Sequence, residues 1–358
     1  MKIFVPGRIC LFGEHSDWAG GYRRINVDIE KGNTLITGTN QGIYAEIEPH
    51  PNTLVLYSTN EAGEKYGPFE IPMESKALLE VAQAGGYWSY SAGVAYQIMT
   101  NYHVRGLVIN NYKTTLPIRK GLSSSAAISV LTARAFNRIY DLKMTVRGEM
   151  ELAYQGEITT PSRCGRMDQG CAYGDRPILM TFDGDNLDVR ELQVPNDLYF
   201  VIVDLHAKKD TMEILARLNR SYPFADNEVE RRVQDLLGPI NKRIVHQAVG
   251  SLQEGNAKNL GHLMVESQNL FDKYAIPACP NELTAPVLHK VLMHEALKPH
   301  IWGGKGVGSQ GDGSAQFLAR SLEDQNDVIE IIERDFGMSC LSLTLRTGTE
   351  VRKAVIPA

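Results

Sequence analysis

Residues 107–142 constrain the fold more than any other part of this 358-residue chain. Residues 107–115 are rich in strand-forming side chains that partly alternate, so they read as a strand. After Ser125 the apolar residues Ile128, Leu131, Ala135, Ile139 and Leu142 recur at steps of three or four, which predicts a helix with one buried stripe. Between the two lies a loop that contains Arg119, Lys120, Gly121, Leu122, Ser123, Ser124, Ser125 and Ala126. A loop at a helix N-terminus meets four backbone N–H groups without intrahelical partners and the positive end of the macrodipole, so it suits an anion, phosphate above all. Gly121 lets the backbone approach such a ligand, and the three serines add hydroxyls for phosphate or a metal ion. Ordinary N-capping by serine is the other reading of the same residues. The loop is not a Walker A sequence, since Gly-x-x-x-x-Gly-Lys-Ser/Thr occurs nowhere in the chain.

Composition narrows the classes. With 43% hydrophobic and 22% charged residues, the chain is long enough for two packed domains. A net charge of −5 supplies no global basic field, which argues against nucleic acid as partner. Five scattered cysteines without a C-x-x-C pair form no zinc or disulfide framework and suit a reducing compartment. No apolar run reaches the roughly 18 residues needed to span a bilayer, and Pro6, Gly7 and Arg8 interrupt the N-terminus too early for a signal peptide. The expectation is a cytoplasmic protein with small-molecule partners and no membrane contact. Its oligomeric state is left open.

Along the chain, residues 2–5 read as a first strand broken by Pro6-Gly7. Glu14, His15 and Asp17, bounded by glycines, form a polar cluster on a tight loop; it suits a hydroxylated ligand or a solvated turn. Residues 34–58 carry further strand runs, residues 60–74 read as loop, and residues 88–102 read as a helix with Trp88 on its core side. The next helix, near residues 146–158, is stopped by Pro161 and carries Glu157 near its C-terminus. A carboxylate there is mildly unfavourable unless a cation sits nearby, which hints at a metal. Asp168 follows a Gly-containing turn and is a candidate base or a turn cap. The acidic run 183–188 lacks the glycine and terminal glutamate of a calcium loop. A domain boundary is placed at Pro195-Asn196-Asp197, ahead of the buried strand 198–205. Residues 226–272 read as helical with a break at Gly238-Pro239. His289, His294, Glu295 and His300 do not share a metal-binding spacing. The Gly-rich run 303–313 formally matches a dinucleotide fingerprint but lacks a following helix, so it reads as a loop making close backbone contacts.

Three stretches in order resemble motifs of the GHMP kinases, the small-molecule kinases that include galactokinase, homoserine kinase, mevalonate kinase and phosphomevalonate kinase. PGRICLFGEHSDWAGG at 6–21 is similar to the galactokinase opening, LPIRKGLSSSAA at 116–127 to the family phosphate loop, and CGRMDQ at 164–169 to the stretch with the catalytic aspartate. The Gly-rich run 303–313 stands where the third motif belongs, and VIVDLHAKKDT at 201–211 looks like the strand opening the second domain.

The resemblance implies an α/β N-terminal domain like ribosomal protein S5 domain 2 (1–196), then a ferredoxin-like α+β domain (197–358). It implies phosphoryl transfer from ATP with Mg²⁺, closest to the galactokinase-like sugar 1-kinases. It implies roles as well: Asp168 as base, Arg8 as the cation at the transferring phosphoryl group, and Ser125 and Glu157 as the Mg²⁺ pair. Residues 120–126 would hold ATP, and Glu14, His15 and Asp17 the sugar hydroxyls. The chain departs from the galactokinase pattern at Arg119, Lys120 and Lys305, and at Arg23 and Arg24. Those changes widen the implied substrates from galactose to arabinose, a uronic acid or a heptose phosphate. A non-sugar alcohol such as mevalonate, or a non-catalytic sensor on the same fold, are the competing readings.

Overall fold

The computed structural model describes residues 1–116, 122–162 and 164–347. It divides into two compact units. One holds Met1–Arg8 and Gly38–Asp175, the other Ile9–Thr37 and residues 176–347. The expected cut at residues 196/197 lies inside the second unit, because the chain enters that unit twice, first at residues 9–37.

In the first unit, β2 (Gly32–His50, from Gly38 on), β3 (Thr53–Thr59), β4 (Lys65–Pro72) and β5 (Gly106–Thr114) lie in the order β4-β3-β5-β2. All neighbours are antiparallel except the β3–β5 pair. Alternation turns Ala45, Ile47, Leu54, Leu56, Leu107 and Ile109 to the interior. The strand β1 (Lys2–Phe12) runs through Pro6-Gly7 without the expected break. Among the described residues it pairs only with β2, and an edge strand tolerates a residue without an N–H. Residues 65–72, expected as loop, form β4.

The helices Ser89–Asn101, Ser124–Tyr140 and Val146–Ile158 pack on one another. Two glycines set the closest approach. A Cβ on Gly93 would fall 2.3 Å from the Gly156 carbonyl oxygen, and one on Gly156 would fall 2.4 Å from Val94.

In the second unit, residues 32–36 of β2 pair with β6 (Ile178–Asp183), which forms a hairpin with β7 (Asn186–Glu191) across the acidic turn. A separate antiparallel sheet has the order β11-β8-β10-β9, from β8 (Leu198–Asp204), β9 (Ile301–Gly306), β10 (Ser314–Ala319) and β11 (Cys340–Leu345). Its core joins Val201, Val203, Ala315 and Phe317 to Val328 and Ile332 of the helix Leu322–Phe336. A second core joins Ile214, Leu218, Val233, Leu237 and Phe271 from helices spanning residues 211–275. The expected helix break appears at Gly238-Pro239, where Gly238 leaves helical geometry.

The run expected as a Gly-rich loop is divided: Gly303 to Gly306 lie in β9. The glycines there serve packing. A side chain on Gly303 would meet the carbonyl oxygen of Gly261 at 2.1 Å, so the helix Ala257–Ala275 lies directly on the strand. Among the described residues no helix is long and apolar enough to cross a membrane.

Candidate active site

Arg8, Ser125, Glu157 and Asp168 all belong to the first unit. Arg8 sits in β1, 5% exposed, and its guanidinium donates to the Asp168 carboxylate. Asp168 opens a short 3₁₀ helix, Asp168–Tyr173. Arg134 anchors that helix: it donates to the Ala172 carbonyl at 2.7 Å while pairing with Glu149 at 2.8 Å.

Glu157 lies in the last turn of its helix and is 1% exposed. Gln169 donates to its carboxylate at 2.7 Å, and the Ser125 hydroxyl is hydrogen-bonded to it. Burial, and then the charge of Asp168, raise its pKa to about 7. The hydroxyl of Ser125 and the carboxylates of Glu157 and Asp168 make a hard-oxygen donor set in which two acids repel. That set fits a small divalent cation such as Mg²⁺, which would relieve the repulsion.

The serine loop is described from Leu122 on; Lys120 and Gly121 lie outside the described residues. Leu122 and Ala126 are buried, while Ser123, Ser124 and Ser125 are partly exposed. Ser123 takes the left-handed conformation (φ 57°) at the start of the helix Ser124–Tyr140, and its side chain makes no capping hydrogen bond. The ordinary-cap reading therefore does not describe it.

The first unit also holds a cavity that sequence reasoning missed. Asn60, Tyr66, Gly67, Pro68, Phe69, Tyr87 and Trp88 line a space of about 530 Å³. Phe69 and Trp88 stack with ring planes 4° apart and centroids 5.5 Å apart, and Tyr87 stands across the edge of Trp88. Tyr66 and Tyr87 are exposed. Trp88, read as a core residue, is half-buried. The signal was present only as aromatics on both flanks of Gly67-Pro68, in a segment too polar to read as a strand.

Glu14, His15 and Asp17 belong to the second unit and are buried. They do not lie on an open turn: residues Ser16–Gly21 form a short helix with Asp17 in its first turn. Ser16 fixes it, donating to the Leu237 carbonyl at 3.0 Å and accepting from the Asn33 N–H at 2.9 Å. Gly13 is required ahead of it, because its φ is 100° and a Cβ would fall 2.2 Å from the Asn33 oxygen.

The Glu14 carboxylate pairs with Lys305, both side chains being under 5% exposed. Lys305 also donates to the Gly306 carbonyl at 2.8 Å, and Gln268 accepts from the Gly306 N–H at 2.7 Å. Lys305 was legible only as the lone cation of the glycine run 303–313. His15 accepts from the Trp18 indole at 3.2 Å through Nδ1. Its burial, with smaller contributions from the charges of Lys209 and Lys305, lowers its pKa to about 4, so it is neutral.

Arg23 and Arg24 serve other ends. Arg23 pairs with Asp183 at 2.6 Å and donates to the Val27 and Ile29 carbonyls, while Arg24 reaches Asp185 at 3.4 Å in solvent. The histidines of the 289–300 region face different acids: His289 faces Asp272, His294 faces Asp335, and His300 faces Asp324 and Asp327.

The first unit thus brings together a buried cation–carboxylate pair, an adjacent hard-oxygen donor set and a serine loop at a helix N-terminus. Residues 89–175 match the family described as GHMP kinases N terminal domain. The galactokinase of Thermococcus kodakarensis is 26% identical over 90% of this chain and 93% of that protein. That of Thermotoga maritima is 23% identical over 99% and 100%. The fold is shared with Lactococcus lactis galactokinase complexed with galactose (TM-score 0.70, 18% identity, 97% of this chain and 93% of that one). It is shared equally with Methanococcus jannaschii mevalonate kinase (TM-score 0.71, 16% identity, 97% and 98%). The chain is thus GHMP galactokinase-like: residues 89–175 match the family's N-terminal domain, and nearly the whole chain is similar to galactokinases.

Proposed function

We propose that this protein transfers the terminal phosphoryl group of ATP to a hydroxyl of a monosaccharide, the anomeric C1 hydroxyl in particular. The observation that carries the reading is the Arg8–Asp168 pair beside buried Glu157 and its Ser125 partner. Phosphoryl transfer asks a protein for positioning and charge neutralisation rather than covalent work. The Asp168 carboxylate, held by Arg8, orients the attacking hydroxyl and takes its proton as the new O–P bond forms and the bond to ADP breaks. The Arg8 guanidinium offers a planar fork of donors that suits non-bridging phosphoryl oxygens.

The N–H groups at the start of the helix Ser124–Tyr140 hold the nucleotide phosphates, and residues 120–126 are the stretch assigned to ATP. Glu157 and Ser125 are the residues to hold Mg²⁺, which when bound supplies neutralisation of the phosphate oxygens. The aromatic cavity around Trp88 and Phe69 suits the adenine ring, whose π-face stacks on such side chains. Glu14 and Asp17 accept hydrogen bonds from sugar hydroxyls, and neutral His15 offers a donor. Domain naming follows the same reading: an S5 domain 2-like part built on the serine loop and a ferredoxin-like part opened by β8.

An ADP-release screen over free and phosphorylated sugars, with mevalonate and homoserine as non-sugar alcohols, tests the reading. Turnover with a sugar and none with the other alcohols is expected. Turnover with mevalonate alone would overturn the sugar assignment, and ATP and sugar binding without ADP release would overturn the kinase.

A further inference from the structure

Lys209 stands outside every role assigned so far. It follows β8 and precedes the helix Thr211–Asn219. Its stem lies across two glycines of the 303–313 run. A Cβ on Gly311 would fall 3.7 Å from its Cδ, and one on Gly313 would fall 2.5 Å from both Cε and Nζ. The missing side chain at Gly313 is what gives the ammonium its place. The ammonium donates to the Gln310 carbonyl at 3.1 Å, which uses one of its three protons.

Among the described residues Lys209 forms no ion pair. Lys305, by contrast, is neutralised by Glu14. Burial lowers the Lys209 pKa to about 8, and no acid among the described residues pulls it back. A cation held in that way asks for an anion.

A second group points to the same place. The Lys209 charge is felt at His15, which is itself buried. His15 Nδ1 accepts from Trp18, so the neutral ring carries its proton on Nε2. The ring meets the Ser309 backbone, and its buried Nε2 has no hydrogen-bond partner of good geometry. A part-buried ammonium that no carboxylate among the described residues neutralises, and a buried N–H without an aligned acceptor, therefore stand in the same unit as the Glu14–Lys305 pair. Arg23, the more obvious candidate for an anion in the sequence, is taken up by Asp183 and two carbonyls.

We propose that Lys209 and His15 form a subsite for an anionic group carried by the sugar, a carboxylate or a phosphate ester, and that acidic or phosphorylated sugars are the preferred substrates. The proposal rests on the sugar-kinase reading and adds the substrate class to it. Charge-assisted hydrogen bonds to a carboxylate or phosphate oxygen are the strong ones, and they would set the preference over the neutral parent sugar.

The test uses the whole protein and matched probes: galactose and glucose, the two corresponding uronic acids, and the two 6-phosphates. Comparison of the uronic acids with the 6-phosphates separates the carboxylate from the phosphate source. The expected result is a kcat/KM for an anionic member at least tenfold above its neutral parent. Lys209→Met should then shrink that ratio by roughly 10- to 100-fold, chiefly through KM, as loss of one charged hydrogen bond implies. Lys209→Arg keeps the charge and should keep the acidic preference, which separates loss of the ammonium from loss of the fold.

Neutral sugars turned over best, a ratio unchanged in Lys209→Met, or an effect confined to the KM for ATP would each overturn the subsite. ADP release from none of the six would instead overturn the kinase reading. In that case calorimetry with the uronic acids and 6-phosphates decides the subsite: tighter binding to the unmodified protein than to Lys209→Met supports it, and equal or absent binding overturns it.

Discussion

The Glu14–Lys305 pair is the most exposed point of the second unit's energetics, although both side chains are almost wholly buried. Replacing Lys305 by methionine keeps the stem and removes the charge. The Glu14 carboxylate is then left in the interior without its cation, and the Gly306 carbonyl loses a donor. Breaking a buried pair from one side costs roughly 3–5 kcal/mol, because the surviving charge has lost both water and partner. With a urea m-value of about 3 kcal/mol/M, the midpoint should fall by more than about 1 M. Replacing both partners by neutral groups of similar shape removes the stranded charge, so Glu14→Gln/Lys305→Met should recover most of the loss. Urea unfolding of the parent, the two single variants and the double variant, followed by circular dichroism, gives the cycle. A loss below about 1 kcal/mol in Lys305→Met, or a double variant no more stable than Lys305→Met, would refute the reasoning.

Two further outcomes follow from the first unit. The Trp88→Ala variant should weaken ATP binding by roughly 5- to 150-fold, from the roughly 1–3 kcal/mol that stacking of a base on an aromatic ring contributes; an ATP Kd within twofold of the parent by calorimetry would take the nucleobase out of that cavity. Glu157 has a folded pKa of about 7 against an ordinary 4.5, so the metal-free protein should lose stability as pH rises from about 4.5 to 7 and level off above. Urea midpoints at pH 5 and pH 8 with chelator should show that fall, Glu157→Gln should remove it, and Mg²⁺ should offset it at pH 8 by holding the ionised carboxylate; a flat profile in the parent would contradict the buried-acid account.

Much of the first unit's site was legible because its motifs are local. A strand, a serine loop and a helix with period-3.6 apolar residues announce an anion-binding turn in one continuous stretch, and the structure begins that helix at Ser124. Glu157 was visible as a carboxylate at the wrong end of a helix. What a linear reading could not supply was its partner Gln169 or the closeness of Asp168, which depend on tertiary packing. The polar 14–17 cluster was seen, but its burial was not. That burial depends on Ser16 bonding to Leu237, 221 residues away. The roles of Lys305 and Lys209 were illegible for the same reason. Neither position reveals its partner until the fold supplies Glu14 to one and, among the described residues, no acid to the other. The glycines of 303–306 signalled a close approach correctly, but the approach is a helix on a strand, not a loop on a ligand.

The role of Asp168 tests the central claim most directly. Asp168→Asn keeps the shape of the side chain and removes the proton acceptor. Steady-state ADP release with the preferred sugar, together with calorimetric ATP binding, should show turnover lower by about 10²–10⁴-fold while ATP affinity stays close to that of the parent. Turnover within a fewfold of the parent would contradict Asp168 as the base, and with it the mechanism built on the Arg8–Asp168 pair.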